Sequence, residues 1–294
     1  MSETPSSLQR KLGTAAELHS VVRTMKTMAA SRIGQYRDAV TALDSYYRTV
    51  QLGLALCLRQ DEGALRAHRA PPAPAASIDA IVFGTDQGMV GQFNDTMFQY
   101  VITTLAPMAG EKTVWPVGER IAAYFADGTL QRAHRFNLPV STQSIPALVG
   151  KILVALDAQP GGRRGAQVFV FHHRPVEGGG FAPACQRLLP LDAAWMDKLT
   201  AMPWPGKQLP QLAGTTPVTL AAFINEYLFV SLFRACAESQ ASENASRLVA
   251  MQRAETNIDQ LHDELQRSFH RLRQGGIDAE LFDLVAGFEA LAPG

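Results

Sequence analysis

The sequence predicts an α/β fold: a long antiparallel coiled coil of N- and C-terminal helices together with a central three-layer α/β domain. Three observations predict it. Proline is absent from Ser7 to Arg66 and again from Thr219 to Leu291, so nothing forbids one long helix at each end of the chain. Both stretches place apolar residues on a four-three alternation, the seven-residue repeat of helices that supercoil about a partner. Between them the pattern changes to short β-branched runs alternating with helical ones, which indicates a largely parallel sheet covered on both faces.

The first helix carries the more regular seam. Leu8, Leu12, Ala15, His19, Val22, Lys26, Ala29, Ile33, Tyr36, Val40, Leu43, Tyr47, Val50 and Leu54 keep the repeat, and only His19 and Lys26 are polar. The C-terminal seam runs from Phe223 through Tyr227, Val230, Arg234, Ala237, Ala241, Asn244, Leu248, Met251, Glu255, Ile258, His262, Leu265, Phe269 and Leu272 to Gly276, Ala279, Asp283 and Ala286, with thirteen of nineteen positions apolar. Helices with matching repeats at opposite ends of one chain are natural partners, and an intervening domain returns the chain for antiparallel pairing. The division expected is 1–67, 77–205 and 218–292. A helix of roughly 60 residues against one of roughly 75 leaves about 15 unpaired, or some 20 Å of single helix. If the overhang is C-terminal, Phe282, Leu284, Val285, Phe288 and Leu291 stand exposed, and a tip so apolar calls for another protein to enclose it.

The Pro/Ala segment from Ala70 to Ser77 ends the first helix. Ile78 to Thr85 (IDAIVFGT) reads as a buried strand, leading through Gly88 and Gly91 to a helix that begins near Asn94. Thr113 to Gly118 repeats the strand signal, and a short helix follows from Glu119 to about Phe125. LQRAHRF is a possible strand, IPALVGKILVALDA a helix, and Ala166 to His173 (AQVFVFHH) the clearest strand. A possible edge strand near Arg187 to Leu191 precedes a proline-rich exit from Met202 to Pro217. This order describes a Rossmann-like, three-layer domain.

Lys and Arg number 27, as do Asp and Glu, so no global charge points to nucleic acid. The charge is uneven, however: Arg10, Lys11, Arg23, Lys26, Arg32 and Arg37 face the single acid Glu17 between Leu8 and Arg37. That run is either a solvated face or a surface for an acidic partner. Cys57, Cys185 and Cys236 are odd in number and widely spaced, which reads as reduced thiols in a cytoplasmic setting. The polar N-terminus argues against a secretory signal. The most apolar run, Leu220 to Ala237, is interrupted by Asn225, Glu226 and Arg234, so no membrane-spanning stretch is expected.

Candidate sites are few. The loop Gly84 to Asn94 (GTDQGMVGQFN) sits after a strand and before a helix, where α/β folds hold phosphate. It lacks both a GxGxxG pattern and the Gly-Lys-Ser/Thr of a P-loop, so a structural turn built on Asp86, Gly88, Gly91 and Asn94, with Asn94 or Asp95 capping the helix, is favoured. His172 and His173 are adjacent on a strand and point to opposite faces, poor geometry for one metal. No nucleophile elbow or carboxylate pair with a positioned base is present, and no catalytic residue, cofactor or metal is expected. His19 and His262 fall on seam positions, where a hydrogen-bonded histidine is favoured over a pH switch. Gly275-Gly276 inside the long helix adds backbone freedom and marks a bend or a close approach.

Three stretches carry a resemblance. VVRTMKTMAASRI (Val21 to Ile33), the loop TDQGMVGQFN, and ESQASENASRLVAMQRAETN with RLRQGGIDAEL resemble signatures of the gamma-subunit family of F-type ATP synthases, over essentially the whole chain. Gln87, Val90, Gln92, Gly275-Gly276 and Asp278 depart from the family's usual residues. The resemblance implies a non-catalytic rotor shaft inside a ring of alpha and beta subunits. Its α/β domain would stand on the c-ring beside epsilon, at the cytoplasmic face of a bacterial membrane, and turning it would couple ion translocation to ATP synthesis or hydrolysis. It further implies beta-subunit contacts at Met25, Lys26, Arg273, Gln274, Asp278 and Glu280, with the basic run suited to an acidic loop of beta. Outside the resemblance, a coiled-coil scaffold and a nucleotide-binding α/β enzyme with helical arms remain open.

Overall fold

The computed structural model describes residues 4–60, 77–128, 130–159, 166–176, 180–208, 210–211 and 214–291. In chain order the elements are α1 (Pro5–Gln60), β1 (Ile78–Phe83), α2 (Phe93–Leu105), β2 (Lys112–Val117), α3 (Glu119–Tyr124), β3 (Gln131–Arg132), a 3₁₀ turn (Thr142–Ser144), α4 (Ile145–Asp157), β4 (Gln167–Pro175), β5 (Phe181–Leu189), α5 (Ala193–Ala201) and α6 (Thr216–Leu291). They fall into two compact units, residues 1–29 with 248–294, and residues 30–247. The Pro/Ala segment from Ala70 to Ala76 lies outside the described residues.

In the unit 30–247 the sheet has the order β3-β2-β1-β4-β5. β1 pairs in parallel with β2 and β4, and β2 with β3. β5 closes the edge antiparallel to β4. Alternation along the strands sorts side chains onto two faces. Ile81, Phe83, Trp115, Val117 and Val170 share one apolar cluster with Ile145, Val149 and Ile152 of α4 and with Leu54, Leu58, Leu228 and Leu232 of the long helices. Ala80, Val82, Val114 and Phe171 share the other with Met97 and Val101 of α2 and Ile121 of α3. The layers are therefore helix, sheet, helix. Asp79 lies buried among these strands and accepts the Trp115 Nε1–H at 2.8 Å; burial raises its carboxyl above the usual range, and the indole bond opposes that rise.

Three expectations need correction. The possible strand at LQRAHRF shrinks to Gln131–Arg132 plus a bridge from Phe136 to Val117. The edge strand near Arg187 begins at Phe181, because β4 extends to Pro175 and offers that whole length as a ladder. Its alternation is masked by Pro183 and by side chains that are mostly half-buried. The short helix Ala193–Ala201 was not anticipated; Asp192 caps it by accepting the Trp195 N–H at 3.0 Å. α6 also contains a window of mean hydropathy 1.4, long and apolar enough by length and composition to cross a membrane, and half of it is buried inside the fold. Asn225, Glu226 and Arg234 thus interrupt that run without lowering its average far enough to exclude it.

The seam matches burial closely. Each of the fourteen α1 seam positions from Leu8 to Leu54 is buried or half-buried, and between Leu8 and Val50 only Met25 and Ala39 join them. In the unit 30–247 the helices run antiparallel. Asp44 meets Arg234 at 3.4 Å, the Tyr46 hydroxyl donates to Glu226 Oε2 at 2.6 Å, and Gly53 lies against the Phe223 ring. In the other unit His19 meets Asp259 at 3.4 Å and Lys26 meets Glu255, so rising numbers on α1 again face falling numbers on α6. The α6 seam stays covered from Phe223 to Leu272; from Arg273 to Val285 each residue is exposed.

Candidate functional site

The loop between β1 and α2 is held from several sides. The Thr85 N–H donates to Asn94 Oδ1 at 3.1 Å, and Asn94 Nδ2 donates to Thr85 Oγ1 at 2.8 Å, which ties the start of the loop to its end. Asp86 uses both carboxylate oxygens: Oδ1 accepts the Glu119 N–H at 2.8 Å and Oδ2 the Leu138 N–H at 3.1 Å. One side chain thereby clamps the start of α3 and the segment beyond β3. Ser246 on α6 donates its hydroxyl to the Val90 carbonyl at 2.5 Å. Gly91 has φ +59°, and the exposed Met89 beside it has φ +60°, a left-handed conformation uncommon for a residue with a side chain. Gly88 stands in open surroundings: a Cβ added there would meet only the Arg120 guanidinium, at 3.9 Å.

The capping expectation for this loop is corrected. The N-cap is Gln92, with no side-chain cap bond; Asn94 lies inside the first turn and turns back to Thr85, while Asp95 accepts the Tyr124 hydroxyl at 2.8 Å. Gln87, Val90 and Gln92 enter the hydrogen-bond pattern through their carbonyls, which accept from Thr85, Ser246 and Thr96. A main-chain role of that kind leaves the side chain free to vary.

Beneath the loop, α6 from Ala235 to Asn244 is buried although six of its ten residues are polar. Small Ala and Ser side chains let the surroundings close on it, and the larger polar groups find partners. Arg247 donates to Glu243 at 2.7 Å, with both side chains under 9% exposed. Burial raises the Glu243 carboxyl above its usual range, against the opposing effect of Arg247. Tyr36 on α1 is pushed up to about 12, first by burial.

His172 and His173 do point to opposite faces. His172 Nε2 lies 2.9 Å from Glu238 Oε2 on α6, and Arg234 Nε donates to Glu238 Oε1 at 2.8 Å. Burial by itself would raise the Glu238 carboxyl, but hydrogen bonds from His172 and Arg234 outweigh it and hold the group down at about 2. His173 is packed against the rings of Phe93 at 3.9 Å and Phe181 at 4.9 Å. Burial, with the neighbouring His172 adding to it, lowers its imidazole to about 3. Among the described residues no group of three or more His, Cys, Asp or Glu is placed to hold a metal.

The residues singled out by family resemblance lie in the other unit. Met25 and Lys26 are half-buried on α1, and the Lys26 ammonium is bound to the Glu255 carboxylate, which that hydrogen bond holds below the usual range. His19 Nε2 lies 3.4 Å from Asp259 and 3.9 Å from Glu255. A cavity of about 240 Å³ lined by Ala15, Ala16, His19, Ile258, Asp259 and His262 opens beside it. Arg273, Gln274, Asp278 and Glu280 are exposed on the single-helix tip, as are Ile277, Leu281, Phe282, Leu284 and Val285. The side chains of Phe288 and Leu291 lie outside the described residues. Gly275 and Gly276 sit within the continuous helix Thr216–Leu291, and a Cβ added at either would meet nothing of this chain within 4 Å.

Sequence reasoning did not find Glu238, Arg234 and Ser246 as tie points. A signal was available: ten residues of α6 rich in Ala and Ser, polar on every side and yet inside a core helix, indicate close packing with polar groups that must be satisfied from neighbouring elements.

The ATP synthase gamma chain of Syntrophus aciditrophicus (strain SB) is 24% identical over 304 residues, covering 98% of this chain and 98% of its own. That of Methylococcus capsulatus is 24% identical over 287 residues, covering 96% and 97%. Among solved structures, a chain of the Euglena gracilis mitochondrial ATP synthase (OSCP/F1/c-ring, rotational state 3) matches with TM-score 0.63 at 19% identity, covering 98% of this chain and 94% of that one. A chain of the Tetrahymena thermophila mitochondrial ATP synthase central stalk and c-ring matches with TM-score 0.58 at 18% identity, covering 80% and 99%. At such identity the structural likeness speaks for the fold. The family model described as ATP synthase matches residues 4–291, and the chain belongs to that family, as a homologue of its gamma chains.

Proposed function

We propose that this chain is the central-stalk rotor subunit of an F-type ATP synthase, passing torque between the membrane c-ring and the alpha/beta hexamer. The single observation that carries this function is the C-terminal helix Thr216–Leu291, covered by α1 as far as Leu272 and then bare, with Phe282, Leu284 and Val285 turned to water. A naked apolar helix end of that length needs a protein sheath. The hexamer of alpha and beta supplies it, and the sheet unit stands toward the c-ring beside epsilon. The chain itself carries no chemistry; the nucleotide sites belong to beta. Attachment to the membrane is peripheral, through the complex, on the cytoplasmic face.

The contacts with beta are assigned to Arg273, Gln274, Asp278 and Glu280 on the bare tip, and to Met25 and Lys26 on α1. The tip residues are open to a partner. Lys26 meets beta as part of the charge cluster that it shares with Glu255. The segments 1–67, 77–205 and 218–292 then divide the work into shaft, foot and shaft.

The test is co-expression with the alpha and beta subunits encoded in the same genome. A stable complex with ATPase activity that depends on this chain is the result expected; alpha and beta purifying without it refutes the assignment. Arg273→Ala, which removes one guanidinium from an exposed position, is expected to leave assembly intact and to lower ATP turnover roughly fivefold, the scale of an interface arginine. Unchanged turnover in that variant removes Arg273 from the contact set.

A further inference from the structure

Within the unit 30–247, Glu238 is where the sheet and both long helices are joined by hydrogen bonds. From β4, His172 Nε2 lies 2.9 Å from Oε2, and Arg174 Nε lies 3.6 Å from the same oxygen. From the preceding turn of α6, Arg234 Nε donates to Oε1 at 2.8 Å, and Nη1 of the same guanidinium reaches Asp44 Oδ1 on α1 at 3.4 Å. The His172 and Glu238 side chains are 3% and 10% exposed, so their bond is shielded from water. Asp44 is 60% exposed and makes the weaker arm.

Apart from two longer neutral hydrogen bonds, Ser242 Oγ to the His173 carbonyl and Gln186 Nε2 to the Tyr227 hydroxyl, each at 3.3 Å, the rest of the sheet-to-helix junction is dominated by apolar packing, with Leu54, Leu58, Leu228 and Leu232 in one cluster with Val168 and Val170. Apolar contact is non-directional and resists separation better than sliding. A shielded charge with fixed donors cannot shift along the helix without losing them. We infer that Glu238 is a positioning residue for torque transfer, fastening the sheet to both long helices so that load on one is carried by the others. This rests on the rotor function proposed above.

The test uses the whole complex in sealed membrane vesicles and reads ions pumped per ATP hydrolysed against a rising opposing gradient. Glu238→Gln keeps the shape and removes the charge. The expected result is an assembled complex that hydrolyses ATP but pumps roughly fivefold fewer ions per ATP at high gradient, the size of effect seen for residues that carry coupling. His172→Leu gives a similar loss, and the double variant loses no more than either single one, because both cut the same link. A wild-type pumping ratio in Glu238→Gln overturns the inference, as does a fall in hydrolysis and pumping in equal proportion, since that reports stability alone. Should Glu238→Gln fail to assemble, Arg234→Met and Asp44→Asn decide, both lying at partly exposed positions; a wild-type ratio in both overturns it. A wild-type chain that recovers no complex with alpha and beta refutes the rotor function instead, and the same preparation reports that first.

Discussion

Individual side chains in this chain act as ties between elements. Asp86 is the plainest case, since two backbone N–H groups from separate segments, the start of α3 and the stretch beyond β3, end on one carboxylate. Asp86→Ala is expected to destabilise the fold by about 2 kcal/mol in urea denaturation, and Asp86→Asn by about half of that because one acceptor survives. Equal stability of the two variants would show that the two bonds do not act separately. His173 sets a different expectation. Its imidazole is lowered to about 3 by burial, with His172 adding to it, so between pH 6.5 and 3 the unfolded chain binds a proton that the folded chain refuses. Stability at this residue is therefore full above about pH 6.5 and is lost as the pH falls toward 3, about 3 kcal/mol by pH 4.5. His173→Leu should be no less stable than wild type at pH 7 and should flatten that decline; an unchanged pH profile would place the acid sensitivity elsewhere.

Elements show why local rules decide some positions and packing decides others. Gly53 in α1 has no room for a methyl: a Cβ there would stand 2.3 Å from the Phe223 ring. Gly53→Ala is expected to destabilise by about 1–3 kcal/mol, overriding the gain in helix propensity. Gly275→Ala and Gly276→Ala meet nothing within 4 Å, so propensity alone governs and each should add up to about 1 kcal/mol of helix stability. Thermal melts followed by circular dichroism distinguish these opposite signs, and a stabilised Gly53→Ala would contradict the packing described at that crossing. The same contrast explains what could be read from sequence. The four-three seam was legible because each seam side chain from Leu8 to Leu54 needs cover, and β1, β2 and β4 were legible as short apolar runs. β5 was not, because its side chains are mostly half-buried and Pro183 interrupts it. Nor was the helix Ala193–Ala201, whose start rests on one Asp192 cap.

At the scale of the whole molecule, local pattern carried the two terminal helices, the three-layer sheet and the family, while the ties at Glu238 and Ser246 depend on residues brought together from far apart in the chain. His172 and Glu238 lie 66 residues apart, and Ser246 and Val90 lie 156 apart. No periodicity could pair them. The bare helix end beyond Leu272 is the feature that turns the fold into a function, because it has an apolar surface and no cover of its own. The most direct measurement is rotation in single complexes. The alpha/beta ring is fixed to a surface, and a bead is attached to a cysteine introduced by Val140→Cys, a position 85% exposed on the sheet unit. Steady one-way turning of the bead on addition of ATP is the result predicted; a bead that stays still while the same complexes hydrolyse ATP would contradict the rotor function.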